Sequence, residues 1–210
     1  MINKMSLFKN KPYSYKLRIM NHLELHKLKL ELAIKTKKGS DFIIAAAIVW
    51  FFITLIWSTS IEAYNKSVFT FIVGALLLPL AFGFSKLLKT DWKVETNPLQ
   101  PLRLWLNFTQ LFYFPFLVLV LIKLPDYFVM TYAIITGAHL FPYAWLYDDN
   151  SYAITAGLIT ASCLIIGLNI PKDIMFYIPL ITSFILMAMF IILCLSIPLS
   201  NKKWKNISKN

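Results

Sequence analysis

The chain is a succession of apolar runs, each about as long as the ~20 helical residues that cross a hydrocarbon layer, separated by short clusters of charge and proline. Charged residues make up only 15% of it and hydrophobic ones 58%, with a mean hydropathy of +0.64, which ordinary soluble domains do not carry. The runs do not alternate apolar with polar, as the strands of a β-barrel must. Inside hydrocarbon, a helix satisfies its own backbone hydrogen bonds. The expected fold class is therefore all-α: a polytopic membrane protein with six transmembrane helices and both termini cytoplasmic.

The runs fall at 41–61, 67–88, 102–124, 127–147, 152–170 and 173–199. They divide the chain into a basic, partly helical N-terminal extension over 1–40, a six-helix transmembrane domain over 41–200 and a basic tail over 201–210. In the extension, leucines at helical spacing split into two opposed faces, Leu25/Leu28/Leu32 and Leu23/Leu30/Ile34, so its helix is imperfectly amphipathic. Residues 1–19 read as its least structured part, and the whole is too long for the n-region of a secretory signal. Asp41 stands where a helix N-cap would. Pro79, Pro115 and Pro142 fall inside runs, where each frees the carbonyl four residues before it. In the fifth run, Ala153, Gly157 and Ala161 form a stripe of small residues of the kind that lets membrane helices approach closely. Cys163 and Cys194 differ in depth by about 20 Å of helix, too far for a disulfide.

A net charge of +11 would point a soluble protein towards nucleic acid. Here the charges have a simpler use. With six spans, Lys66, Lys123 and Lys172 fall on one side, leaving eighteen of the 21 Lys and Arg on the side of the termini. Membrane proteins collect Lys and Arg on the cytoplasmic side. The abundance of Lys, Ile and Asn suits an AT-rich bacterial genome, so the expected location is a bacterial plasma membrane. The expected partners are the bilayer, with anionic inner-leaflet lipids against the N-terminal basic segment, and a membrane-protein partner or a second copy of the chain. No nucleic-acid partner is expected.

The third and fourth runs, joined by the turn Lys123-Leu-Pro-Asp126, hold nearly all the polar chemistry at membrane depth. Arg103, Asn107 and Gln110 step by four and three residues and share a face; Thr136, His139, Tyr143 and Tyr147 do the same on the next helix. Counted from the cytoplasmic end of this antiparallel pair, Gln110 is level with His139, Asn107 with Tyr143, and Arg103 with Tyr147 and Asp148. Polar groups in hydrocarbon seek partners, so the two faces are expected to meet or to line a shared cavity. The candidate ligand- or proton-binding residues are His139, Gln110, Asn107, Thr136 and Tyr143. His139 alone at mid-depth belongs to a type that titrates near neutral pH. A plainer use stands beside this one: Gln110 and His139 as an interhelical hydrogen bond, worth about 1 kcal/mol in a membrane. Arg103 is expected to form an interfacial ion pair with Asp148 or Asp149.

No Gly-x-Ser-x-Gly, His-Glu-x-x-His or phosphate-binding loop occurs, and no pair of carboxylates lies within a run. His22 and His26 stand in a lysine-rich segment without further ligands. No catalytic residue, metal or cofactor is expected, and an enzyme is disfavoured. The segment Gly137-Ala-His139-Leu-Phe-Pro142-Tyr-Ala-Trp145-Leu-Tyr147-Asp-Asp149, with Trp92-Lys and Asn97-Pro in the loop before it, resembles a family of small uncharacterised bacterial membrane proteins. The resemblance covers roughly residues 20–200 and implies a multi-pass membrane protein without bringing an activity. Two functions fit the residues: a small transporter or permeation protein with its site between the third and fourth helices, and a non-catalytic scaffold or accessory subunit holding protein partners.

Overall fold

A computed structural model describes residues 22–207, and the expectation for residues 1–19 lies outside them. Among the described residues all regular structure is helical. Helix α1 (His22–Lys35) leads through a 3₁₀ turn, Lys37–Gly39, into α2 (Ser40–Trp57). One apolar run holds both α3 (Ala63–Gly74) and α4 (Leu77–Leu88); the next holds α5 (Gln100–Thr109) and α6 (Phe114–Lys123). Then come α7 (Phe128–Tyr147), α8 (Ser151–Asn169) and α9 (Tyr177–Ile207). Five stretches are long and apolar enough to cross a membrane: Lys37–Trp57, Ala63–Leu88, Gln100–Lys123, Ser151–Asn169 and Lys172–Ile207.

The expected fourth span, α7, is not one of those five, although it has 20 residues. Tyrosines, threonines and His139 dilute its apolar character, and its place in the fold accounts for them. It packs against α8 along one side and meets α3, α5, α6 and α9 on others. The ring of Tyr132 lies 5.2 Å from that of Trp50 on α2, across the middle of the bundle. The inward face of α7, where Tyr132, Thr136, Tyr143 and Tyr147 are buried, can carry polar groups that its outward face, with Phe141 and Trp145 exposed, cannot. Beyond it α2 packs on α3, α4 and α9, and α9 packs on α8, so that α7, meeting both α8 and α3, closes the helices into a ring. The Ser183 hydroxyl ties α9 to α2 by donating to the Ala47 carbonyl at 2.8 Å.

The prolines act unequally. The break between α3 and α4 falls at Ala75 and Leu76, just where the ring of Pro79 excludes the Ala75 carbonyl. A 3₁₀ segment, Gln110–Tyr113, precedes Pro115 in the same way. Pro142 and Pro198 lie inside α7 and α9 without ending them, so α9 continues past the expected stop at 199 and takes the basic tail with it to Ile207. The small-residue stripe on α8 is not what brings the helices together, because Gly157 faces open space. Close approach comes from Gly137 on α7, where an added Cβ would stand 2.9 Å from the Ile159 Cβ. Cys163 and Cys194 are both free.

The N-terminal helix packs on the chain itself. Leu30, Leu32 and Ala33 of α1 are buried, and α1 meets the ends of α7 and α9. The loop between α4 and α5 straps it down: Asn97 donates to the Leu28 carbonyl at 2.9 Å and to Glu31 at 3.0 Å, and the Asp91 amide donates to the Lys35 carbonyl at 2.9 Å.

Candidate functional site

Two polar constructions meet at the end of the bundle that α1 covers. The first is a seam between α5 and α7. Its centre is a hydrogen bond from the Tyr143 hydroxyl to Asn107 Oδ1 at 2.5 Å, joining the two helices at the level where counting put them opposite one another. One helical turn along α7, His139 is half-buried and packs edge-on against Tyr143, with ring centroids 5.6 Å apart. Gln110 is half-buried and no hydrogen bond joins it to His139. Thr136 is buried and its hydroxyl has no partner.

Arg103 closes the seam at the covered end, and it does not pair with Asp148 or Asp149. Its guanidinium donates instead to the backbone carbonyl of Trp92, which also accepts from Gln100 Nε2 at 3.2 Å. The Arg103 Nε and the Gln100 Oε1 are buried without partners. Asp41, placed by its sequence position as a helix cap, makes no capping bond. Its carboxylate reaches across to the same loop and accepts from the Thr90 hydroxyl at 2.9 Å and the Trp92 indole N–H at 2.8 Å. Trp92 is thus gripped at both ends, its indole by Asp41 and its carbonyl by Arg103, while its ring stacks on Phe42 at 5.4 Å.

The second construction is an elbow between α1 and α2. Lys37, Lys38 and Gly39 follow one another with φ of +45°, +53° and +69°. The left-handed region costs a side-chain-bearing residue roughly 1–2 kcal/mol, so two consecutive lysines there need outside support. It comes from several directions. The Lys37 ammonium donates to the Leu88 carbonyl, and the Tyr152 hydroxyl donates to the Lys38 carbonyl. The Lys38 ammonium, on a residue 6% exposed, donates to Asp149 at 2.7 Å and to Ser196 Oγ at 2.9 Å. Asp149 in turn accepts from the amide and hydroxyl of Ser151 at the start of α8. Burial raises the Asp149 carboxyl, but the bonds from Lys38 and Ser151 outweigh it and hold the group below its ordinary value.

A cluster of three tyrosines connects elbow and seam. Tyr143, Tyr147 and Tyr152 lie with ring centroids 5.5 to 5.9 Å apart, and Gly39 fits against the hydroxyls of Tyr147 and Tyr152. These rings and the elbow occupy the level at which Arg103 was expected to meet the aspartates. His26 Nδ1 lies 3.5 Å from the Asp148 carboxylate. Beside it, the Lys29 ammonium sits 3.5 Å over the Trp145 ring, where burial lowers its pKa and Asp148 partly restores it.

A cavity of about 500 Å³ opens by the elbow, lined by Lys38, Asp148, Asp149, Ser196 and the end of α9; none of His139, Gln110, Asn107, Thr136 or Tyr143 lines it. The residues that sequence reasoning missed are Lys38, Asp41, Trp92 and Tyr152. Only Gly39 hinted at the elbow, as the residue type that most readily takes positive φ. Among the described residues no group of three His, Cys, Asp or Glu side chains is placed to hold a metal ion.

No curated protein and no solved structure matches the chain. Residues 25–196 match the model of the Family of unknown function (DUF7010), and the chain belongs to that family.

Proposed function

We propose that the chain is an integral protein of a bacterial plasma membrane, with α7 as a sixth span and both termini cytoplasmic, and that it is a small transporter or permeation protein with its site between α5 and α7. Large apolar side chains exposed on the outer faces, Trp105, Phe112, Phe184 and Leu195 among them, support the membrane placement. The charge distribution supports the orientation.

The observation that carries the transport reading is the state of the seam. Thr136 and Arg103 bring buried polar atoms without partners to a helix pair whose one cross-link is the Asn107–Tyr143 bond. Each buried, unpaired polar atom costs about 1–3 kcal/mol. A helix pair that only had to hold together would be more stable with apolar residues at those positions. Such groups suit a path on which a passing solute or proton makes the missing bonds. His139 and Gln110 would contact it, while Asn107, Thr136 and Tyr143 orient it. The scaffold reading has less to rest on, since α1 buries its apolar face on its own bundle.

The test is flux. Liposomes holding a pH-sensitive dye, with wild type or His139→Ala and an imposed potassium diffusion potential, should show proton entry that the variant loses. Equal flux in the two, or none above protein-free liposomes, ends the role given to His139. Orientation is tested by thiol labelling in a background without Cys163 and Cys194. Lys66 is buried, so the exposed Asn65→Cys is the reporter that should label from outside, and Lys203→Cys should not.

A further inference from the structure

The cavity beside Lys38 is built at a level that the transport reading does not use. Helix α9 has 31 residues, about 46 Å at 1.5 Å each, whereas the hydrocarbon layer is about 30 Å thick. Counted from Tyr177, the hydrocarbon ends close to Ser196. The cavity walls are the α7–α8 turn, the Lys38 elbow and α9 from Ser196 to Asn206, so the cavity lies in the headgroup layer. The inference rests on the membrane placement of α9 and is independent of transport.

The charge in this cavity is unevenly matched. Asp149 is held by Lys38 and Ser151, and Asp148 faces His26. Lys202 and Lys203 also line the cavity, are exposed, and have no ion-pair or hydrogen-bond partner among the described residues. Lys38 is buried, yet an ammonium has three donors and the protein takes two of them. The side chain of Asn206 adds a neutral donor on the same wall. Three ammonium groups therefore face two carboxylates, a surplus of one positive charge, in a recess with one buried ammonium, two exposed ones and an amide. That set suits a tetrahedral oxyanion, which accepts several donors at once.

We propose that this cavity binds a phosphate group, with Lys202 and Lys203 supplying charge and Lys38 and Asn206 supplying directed hydrogen bonds. Two sources carry that chemistry: the headgroup of an anionic phospholipid and free inorganic phosphate. At the headgroup level the lipid arrives by lateral diffusion. A bound headgroup would join α9 to the α7–α8 turn and the elbow, bracing the covered end of the bundle.

The experiment measures retention of dioleoyl phosphatidylglycerol, with phosphate-free dioleoylglycerol as the matched lipid, on the purified full chain by native mass spectrometry. A second arm follows inorganic phosphate by ³¹P line broadening. Three variants are compared: K202Q/K203Q, N206W, which fills the cavity without changing charge, and K89Q/K123Q, which removes two exposed lysines elsewhere. Recovery of each variant in lipid nanodiscs checks the membrane reading separately. K202Q/K203Q should weaken phosphatidylglycerol binding by about tenfold or more, N206W similarly, and K89Q/K123Q by less than about twofold. Dioleoylglycerol should not be retained. Broadening of the phosphate signal with displacement of the lipid would assign the site to the free ion; lipid binding unaffected by phosphate would assign it to the headgroup. Equal losses in the cavity and control pairs, no loss in N206W, or no binding of either probe would overturn the proposal.

Discussion

Lys38 and Lys66 stand at opposite ends of α2, and both are nearly covered, at 6% and 9% exposed. They are buried by different means. Lys38 has a carboxylate, a hydroxyl and a left-handed backbone around it. Lys66 has no carboxylate; its ammonium lies 3.3 Å from the Trp57 carbonyl at the end of α2 and 5.8 Å from the Trp57 ring. A helix C-terminus and an aromatic face are weak cation hosts that allow the head to stay near water. A deeply held ammonium next to a carboxylate is a different object, because each charge depends on the other. One end of the bundle is therefore a constructed polar site, and the other is an anchor.

The sharpest way to break this comparison is to remove one partner of the constructed pair. Asp149→Ala leaves the Lys38 ammonium buried and unpaired, and should cost about 3–5 kcal/mol in unfolding of the detergent-solubilised protein. The double variant Asp149→Leu with Lys38→Met should recover much of that loss, since the pair is replaced rather than broken. The same pair sets an acid response. The folded Asp149 carboxyl lies below its ordinary value of 3.8, so its contribution is fully present above that pH and is lost as pH falls through the lower folded value. Stability of the wild type should decline below about pH 4 more steeply than that of Asp149→Ala, read from melting temperatures across pH 7 to 3. Parallel pH curves would show that the pair does not hold this end.

The backbone at the elbow offers a smaller lever. Gly39→Ala places a Cβ at φ +69° and 3.3 Å from the Tyr147 hydroxyl, so it should destabilise by roughly 1–2 kcal/mol. Gly83 in α4 has nothing within 4 Å of its would-be Cβ. Gly83→Ala should be neutral or stabilising by up to about 1 kcal/mol, as in any exposed helix. Equal effects of the two substitutions would mean that the elbow is not under constraint.

How much of this was legible follows from range. Periodicity is local, so the shared face of Arg103 and Asn107 and the matching level of Tyr143 could be counted from the turn between the helices. The Gln110–His139 pairing could not, because from Gln110 the helix tightens from about 3.6 towards about 3.0 residues per turn and the face count drifts. Asp41 looked like a cap because it opens an apolar run. Its actual partners, Thr90 and Trp92, lie in a loop that sequence alone does not bring to it. Lys38 was one of ten basic residues in the first forty, and nothing in composition distinguishes a buried lysine from a solvated one. Hydropathy likewise does not separate the two faces of α7, since it averages the buried tyrosines Tyr132, Tyr143 and Tyr147 with the exposed Phe141 and Trp145.

The smallest expected effect at a buried lysine belongs to the other end of α2. Lys66→Met keeps the length of the side chain and its contact with the Trp57 indole, and removes only the ammonium. What is lost is one long bond to a helix-terminal carbonyl and a distant cation–π contact, together about 1 kcal/mol or less. No buried carboxylate is stranded, because none faces Lys66. The indole N–H keeps its own acceptor, the Thr70 hydroxyl at 3.0 Å. Melting of Lys66→Met should therefore stay close to wild type at neutral pH, where Asp149→Ala shows its full loss, and should follow the wild-type acid response below about pH 4. A loss as large as that of Asp149→Ala would mean that this end, too, is a built site, and that burial rather than pairing decides what a lysine does in this fold.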